Sequence, residues 1–223
     1  IEAVLSDMPH FIISCGSSSA AVNRLLALEN DAKSIVIQKP GLLRLSRFSL
    51  VILPEHDCTA STRKMGNVLV TRGAPNLVHE QFLKEQSAAL LNKYSHLKRR
   101  HRFNIALLIG GDTKELFLRP RDFKMLLHQV KEAAEGVNAD ILVTTSRRTS
   151  ERIENMVTWQ LKRSDRCPLL IIANKNNIPQ AVGGILGLAD IVVVSGDSIS
   201  MVSEAASSGK KVIVFPPQRR YGR

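Results

Sequence analysis

One run of residues near the end of the chain decides the fold: Ile191-Val192-Val193-Val194-Ser195-Gly196-Asp197-Ser198-Ile199-Ser200-Met201-Val202-Ser203-Glu204. Its opening β-branched residues predict a strand that is buried on both faces of a parallel sheet. Gly196 and small hydroxyl residues follow, which is typical of a turn between elements. A helix is predicted near residues 200–208. The run therefore predicts a strand–turn–helix unit, the repeating unit of α/β proteins.

The same alternation fills the second half of the chain. Predicted strands lie at residues 105–109, 141–143, 169–172 and 212–215. Predicted helices lie at residues 120–135, 150–162 and 178–188. Because the connections are too short for anything but parallel crossovers, we expect one parallel sheet with helices packed on it.

The first half repeats the pattern, with strands predicted at residues 11–13, 34–37, 50–53 and 68–70 and a helix at 18–28. A long amphipathic stretch, 78–97, leads into the second alternation. We therefore predict an α/β protein with two Rossmann-like domains on parallel sheets, residues 1–97 and 98–223. Both domains are expected to be truncated, since the first lacks the usual opening strand and glycine-rich turn and the second stops directly after a strand.

Composition narrows the class of protein. Apolar residues make up 44% of the 223 residues, which favours a packed core over disorder. Cys15, Cys58 and Cys167 show neither a disulfide framework nor the spacing of a zinc site, which favours a reducing compartment. No apolar run reaches the roughly 18 residues that span a bilayer, and no signal peptide pattern opens the chain.

The formal net charge of +11 favours anionic partners: phosphates, nucleic acid or an acidic membrane surface. The densest basic run is Lys98-Arg99-Arg100-His101-Arg102. We interpret this run as a solvated linker rather than a nucleic-acid or membrane contact, because no aromatic residues interleave it for base stacking.

Small and polar residues follow four predicted strands of the second half. They lie at residues 110–114, 146–149, 174–177 and 195–200. Ligands of open α/β sheets bind where the carboxyl ends of the strands and the helix N-termini converge. Glycines, hydroxyls, amides and cations at this edge predict a pocket for an anion.

The turn at Ser198 carries most of this prediction. Free amides at the start of the following helix, together with its dipole, would hold a diphosphate. Glu204 lies one turn after Ser200, where its carboxylate could accept hydrogen bonds from two ribose hydroxyls. The alternative is an ordinary capped helix. Arg147 or Arg148 would clamp a phosphate, or else simply be solvated at a helix start.

A dinucleotide dehydrogenase is disfavoured. The turn after Ile109 lacks the G-x-G-x-x-G pattern, and no acidic residue closes the second strand to bind a ribose.

The sequence resembles the mitochondrial-fission Elm family, which includes plant fission factors and bacterial proteins regarded as glycosyltransferases. The resemblance rests on Ile109-Gly110-Gly111-Asp112-Thr113-Lys114, Thr145-Ser146-Arg147-Arg148-Thr149 and Asp197-Ser198-Ile199-Ser200-Met201-Val202-Ser203-Glu204-Ala205. The first half agrees in order at residues 13–16, 36–40, 53–57, 67–69 and 73–76. The family is similar to GT-B glycosyltransferases, in which two Rossmann-like domains flank a cleft.

The resemblance implies a nucleotide-sugar site in the second domain. It assigns Glu204 to the ribose and the turn from Ser198 to Met201 to the phosphates. With the residues of the two other loops, the expected binding set is Gly110, Gly111, Asp112, Thr113, Ser146, Arg147, Arg148, Asp197, Ser198, Ser200, Met201 and Glu204. The chain departs from the family at residues 174–179, where an Asn-Pro-Tyr-like stretch is usual.

A transferase of the inverting type needs a general base that takes the proton of the acceptor hydroxyl. His56 and Asp57 follow a strand of the first domain and are the best candidates; Asp57 would orient His56 or act as the base itself. The alternative is a turn-forming Asp beside an exposed His. No Asp-x-Asp pair is present, so we expect no divalent metal requirement and no cofactor besides the nucleotide-sugar substrate.

The leading function is sugar transfer from a nucleotide-sugar donor to a cell-envelope or lipid-linked acceptor. The alternatives are a non-catalytic recruitment scaffold of the mitochondrial-fission type and a nucleotide-sugar epimerase or hydrolase; nucleic-acid binding ranks last. We expect a cytoplasmic protein that contacts the inner face of an anionic membrane peripherally.

Overall fold

The computed structural model describes residues 8–100 and 102–220, and it divides into two compact units between Pro75 and Asn76. The start of the chain and His101 of the basic run lie outside the described residues. Within those residues, none of the helices combines the length and the apolar composition that crossing a bilayer requires.

The first unit contains a four-stranded parallel sheet in the order β1-β2-β3-β4. Its elements are β1 (Phe11–Cys15), α1 (Ser17–Glu29), β2 (Lys33–Ile37), β3 (Leu50–Pro54) and β4 (Val68–Thr71). Short 3-10 turns, Leu45–Arg47, Glu55–Asp57 and Thr62–Lys64, fill the loops. The buried core is Ala20, Val36, Phe48, Val51 and Leu53.

The second unit contains a five-stranded parallel sheet in the order β10-β9-β5-β7-β8. Its strands are β5 (Phe103–Ile109), β7 (Ala139–Thr145), β8 (Leu169–Ile171), β9 (Ile191–Ser195) and β10 (Lys211–Phe215). Its helices are α2 (Glu80–Lys93), α3 (Pro120–Gly136), α4 (Glu151–Leu161), α5 (Ala173–Asn176), α6 (Ala181–Leu188) and α7 (Ile199–Ser207). A small antiparallel ribbon pairs β6 (Leu116–Phe117) with β11 (Gln218–Arg219). The predicted α/β architecture with parallel sheets is confirmed.

The helices cover both faces of the second sheet. Side chains of α2, α6 and α7 pack on one face, and those of α3 and α4 pack on the other. The central strand β5 serves both layers, since Ala106 and Leu108 belong to the first core and Ile105, Leu107 and Ile109 to the second. Burial on both faces explains why this strand is apolar along most of its length.

The division between the units lies between Pro75 and Asn76 rather than at the predicted boundary between residues 97 and 98. The reason is the packing of helix α2. Three glycines of α6 lie directly under α2: a Cβ at Gly187 would come within 2.6 Å of the Leu83 carbonyl, and one at Gly184 within 2.8 Å of the Leu90 side chain. Gly183 faces Gln86 in the same way. Because these glycines let the two helix backbones approach closely, α2 belongs to the second unit.

The basic run that precedes β5 is tied to the sheet. Arg100 donates from Nε to Oδ2 of Asp140 at 2.5 Å and from an Nη to Oδ1 at 2.9 Å, and Arg102 contacts Oδ1 at 3.3 Å. The Asp140 side chain is fully buried. The run was interpreted as a solvated linker; instead, two of its arginines neutralise a buried carboxylate, while Lys98 and Arg99 stay exposed.

Candidate functional site

The loops that follow β5 and β9 lie side by side at one edge of the sheet, and we call the region where they meet the crevice. The helix after β5, α3, lies on one face of the sheet, whereas α7, which follows β9, lies on the other. The chain therefore leaves these neighbouring strands in opposite directions. Such a switch point is where open α/β sheets bind ligands.

Hydrogen bonds join the two loops across this crevice. The Gly110 N–H donates to Oγ of Ser195, and the Gly111 N–H donates to Oδ2 of Asp197, each at 2.6 Å. A Cβ at Gly110 would lie 2.1 Å from Oδ2 of Asp197, and one at Gly111 would lie 2.0 Å from the carbonyl carbon of Arg148. Gly110 and Gly111 were expected to let the backbone approach a ligand. In the structure, glycine is needed at both positions because a Cβ would clash with the neighbouring loops.

The loop after β7 is held against the end of β5. The Thr149 hydroxyl donates to the Gly110 carbonyl, and it accepts a hydrogen bond from the Ser146 N–H at 2.9 Å. Thr149 is buried. Sequence reasoning left Thr149 and Ser195 out of the expected binding set. The sequence signal that could have identified them is that each is a hydroxyl residue in the segment after a predicted strand.

Asp112 and Thr113, expected at the ligand, are engaged with the β6–β11 ribbon. Arg220 donates to Oδ2 of Asp112 at 2.8 Å, and the Leu118 N–H donates to Oδ1 at 3.3 Å. Oγ1 of Thr113 accepts from the Leu116 N–H at 2.9 Å. Both side chains thus fix the start of the ribbon beside the crevice.

Helix α7 begins at Ile199, next to the predicted start, and its leading end is partly open. Ser198 and Met201 are buried, whereas Ser200 is exposed and Ile199 is 40% exposed. The earliest α7 amide with a described intrahelical bond is that of Val202, which donates to the Ser198 carbonyl. The amides before it are the ones that a helix leaves for side chains, water or ligands.

Asp197, just before α7, is only 6% exposed. Its Oδ2 is occupied by Gly111, and its Oδ1 has no hydrogen-bond partner among the described residues. A carboxylate here is favoured by the positive end of the helix dipole. An anion bound at the same helix would therefore lie on the exposed side, at Ile199 and Ser200, rather than over Asp197.

Glu204 lies one turn further along α7 and is half-buried. Burial raises the pKa of its carboxyl above the usual range. This carboxylate forms no hydrogen bond or ion pair with the other described residues. A half-buried carboxylate with free acceptor oxygens is suited to ligand hydroxyl groups.

The remaining expected residues of the second unit divide into two kinds. Arg147 and Arg148 are exposed at the end of β7 and form no ion pair within residues 8–100 and 102–220. In contrast, the amides after β8 are used by the fold: Asn174 donates to Glu154 at 2.7 Å, and Asn176 accepts from the Ile172 N–H at 2.7 Å. The two arginines are therefore cations of this edge that no described carboxylate neutralises.

The candidate bases of the first unit lie in the 3-10 turn after β3. Asp57 pairs with Lys39, with Oδ1 3.4 Å from Nζ. His56 is exposed, and no hydrogen bond joins it to Asp57 in the described part of the chain. Asp57 therefore does not orient His56 here. The described residues also contain no cluster of three or more His, Cys, Asp or Glu side chains that could hold a metal ion.

Comparison with known proteins identifies relatives that are similar to nearly the whole chain. An uncharacterized protein from Rickettsia prowazekii is 26% identical over 241 residues, covering 94% of this chain and 65% of that protein. The mitochondrial fission protein ELM1 of Arabidopsis thaliana is 26% identical over 233 residues, covering 93% of this chain and 52% of the plant protein. The chain thus spans between half and two thirds of the length of these relatives.

A family match covers nearly all of the chain. The sequence model described as mitochondrial fission ELM1 matches residues 2–223, a range that includes the crevice between β5 and β9 and the whole of α7. The chain belongs to the mitochondrial fission ELM1 family.

Proposed function

We propose that the second unit binds a nucleotide sugar in the crevice between β5 and β9, and that the protein transfers the sugar to a cell-envelope or lipid-linked acceptor. The observation that carries the proposal is Glu204, a half-buried carboxylate without a described partner, one turn inside a helix whose first amides face the switch point. A ribose needs such an acceptor, and a diphosphate needs such amides.

The cations of this edge support the same ligand. Arg147 and Arg148 are exposed beside the crevice and have no described carboxylate to neutralise. A guanidinium can bind two phosphate oxygens at once, and the same contact would stabilise a leaving diphosphate during transfer. Exposed Ser200 adds a hydroxyl at the start of α7.

The proposed reaction also needs a base that accepts the proton of the acceptor hydroxyl. His56 is the better candidate of the predicted pair, because Asp57 already pairs with Lys39. His56→Ala is then expected to abolish sugar transfer while nucleotide binding is retained. Transfer without a divalent metal, and a peripheral position at the cytoplasmic face of a membrane, belong to the same proposal.

A second candidate is a scaffold without turnover. It is favoured by the name of the Arabidopsis relative, a mitochondrial fission protein. A scaffold could keep the fold of the crevice without keeping its affinity for nucleotides. Nucleotide binding therefore separates the two candidates.

Calorimetric titration of UDP, GDP, CDP and ADP tests the proposal. We expect one of them to bind, and Glu204→Ala to weaken it about 10- to 100-fold, since hydrogen bonds to a charged group contribute about 1.5–3 kcal/mol. Glu135→Ala is the matched control, because Glu135 is an exposed acid on α3. Unchanged affinity in Glu204→Ala would remove the assigned role of Glu204, and binding of none of the four would favour the scaffold.

A further inference from the structure

Trp159, the one tryptophan of the chain, lies on the outer surface of α4 with 85% of its area exposed. The inward stripe of the same helix, Ile153, Val157 and Leu161, is fully buried against the sheet. The amphipathic pattern of α4 is therefore complete without Trp159. A large aromatic side chain contributes to folding mainly through the area that it buries, so the fold does not account for a tryptophan here.

Three cations lie near Trp159 in the sequence, one on α4 and two directly after its end. Arg152 lies two turns before Trp159 on the same face, and Lys162 and Arg163 follow it by three and four residues. All three are exposed, and none forms an ion pair within the described residues. Glu151 is an exposed acid at the start of this helix, whereas Glu154 is buried and bonded to Asn174. The outer face of α4 and the two residues after its end thus carry three exposed cations near one apolar ring, against the exposed acids Glu151 and Asp165.

We propose that this face, defined by Arg152, Trp159, Lys162 and Arg163, contacts the surface of an anionic lipid bilayer. Tryptophan prefers the boundary between lipid headgroups and acyl chains, where its apolar ring and its N–H are both accommodated. Lysine and arginine beside it are attracted to anionic headgroups. The combination of an apolar anchor and a basic patch is what reversible membrane contact requires.

The geometry favours a bilayer over a single-stranded nucleic acid. Sequence-tolerant binding of single strands relies on a groove in which several aromatic rings stack successive bases. Here one ring projects from the exposed side of a helix that forms the outer layer of the unit. A flat, negatively charged surface can meet the ring and the three cations together.

Fluorescence of the single tryptophan tests the proposal directly. The whole chain is titrated with vesicles of phosphatidylcholine mixed with phosphatidylglycerol, and with vesicles of phosphatidylcholine alone. We expect the Trp159 emission to shift to shorter wavelength and to be quenched by brominated lipid only with the anionic vesicles. Higher salt should reverse the shift, because it screens the cations.

Charge variants separate this face from the general basicity of the protein. The triple variant Arg152→Gln, Lys162→Gln and Arg163→Gln should partition about 100-fold more weakly, since each cation near an anionic surface contributes about 1 kcal/mol, or about fivefold. The matched control is Lys33→Gln, Lys93→Gln and Lys211→Gln, which removes the same charge from exposed positions on β2, α2 and β10. This control variant should partition onto the anionic vesicles nearly as strongly as the wild-type protein.

Three outcomes would overturn the proposal. The first is vesicle binding without any change in Trp159 emission, since the contact would then lie elsewhere. The second is equal weakening in the two triple variants, which would indicate a nonspecific charge effect. The third is an emission change with single-stranded RNA but not with anionic vesicles, which would identify the partner as a nucleic acid.

Discussion

Asp197 accepts a hydrogen bond from the Gly111 N–H, with Oδ2 2.6 Å from the nitrogen, and this bond joins the loop after β9 to the loop after β5. The neighbouring bond from Gly110 to Ser195 makes a second link across the crevice. The two loops that the proposed ligand would contact are therefore fixed relative to each other before it binds. Such preorganisation lowers the entropy that binding must overcome.

Gly110→Ala tests how closely the two loops are packed. The added Cβ would meet both carboxylate oxygens of Asp197, at 2.1 and 2.7 Å, so Asp197 or the backbone must move. Because overpacking typically costs about 1–3 kcal/mol, we expect a loss of that size in the free energy of unfolding. Urea denaturation followed by circular dichroism measures it.

Gly136→Ala is the matched control for that experiment. Gly136 ends α3, and a Cβ there would meet nothing within 4 Å. Alanine in place of a helical glycine should leave stability unchanged or raise it by about 0.5–1 kcal/mol. Equal effects of the two substitutions would mean that the contact between Gly110 and Asp197 is not formed.

Arg100→Gln tests the ion pair at the other end of the second sheet. Asp140 is completely buried, and its hydrogen bond to Arg100 raises the pKa of that guanidinium. Removing one partner of a buried pair typically costs about 3–5 kcal/mol; we expect the lower end, because Arg102 remains near Asp140. The control is Arg99→Gln at an exposed position, which should change the unfolding midpoint little. Similar midpoints for both variants would contradict the structural role of Arg100.

Most of the second sheet could be predicted from the sequence, and the reason is visible in β5 and β9. Strands that are buried on both faces must be apolar in succession, so local composition alone locates them. The start of α7 was predicted within a residue, because Gly196 and the small hydroxyl residues before Ile199 mark the turn. These features depend only on neighbours along the chain.

Features that depend on distant partners were missed. The β6–β11 ribbon pairs Leu116 with Arg219, and Arg220 bonds to Asp112, which is 108 residues away in the sequence. The division between the units was predicted too late, because nothing near residue 80 shows that α2 packs on the glycines of α6. Likewise, Asp57 was expected either to orient its neighbour His56 or to act as the base itself, and its pairing with Lys39 from the preceding loop was missed.

Cysteine reactivity offers a third test. Burial raises the pKa of the Cys167 thiol to about 12, whereas Cys15 is exposed at the end of β1. Because the thiolate is the reactive form, Cys167 should resist iodoacetamide near neutral pH while Cys15 is alkylated. Mass spectrometry of peptides after timed labelling measures both sites. Added urea should expose Cys167, and rapid labelling of Cys167 in the native protein would contradict the packing around it.

Glu204→Gln tests whether the raised pKa of Glu204 reflects a carboxylate kept for a ligand. Burial disfavours the ionised form, so the folded state holds this proton more tightly than the unfolded state, whose pKa is about 4.3. The stability linked to this proton is fully present below that value and is lost as the pH rises through the folded pKa. Glutamine removes the charge, so it should stabilise the protein at neutral pH but not near about pH 4.

The gain should be below about 1 kcal/mol, because the remaining solvent access of Glu204 screens its charge. Urea denaturation at both pH values measures it, with Glu135→Gln as a control that should show no such pH dependence. The same Glu204→Gln variant should bind the nucleoside diphosphate about tenfold or more weakly, since it loses hydrogen bonds to a charged acceptor. Higher stability with lower affinity would identify Glu204 as a residue retained for binding at a cost in stability. A loss of stability at neutral pH would instead assign the carboxylate to the fold.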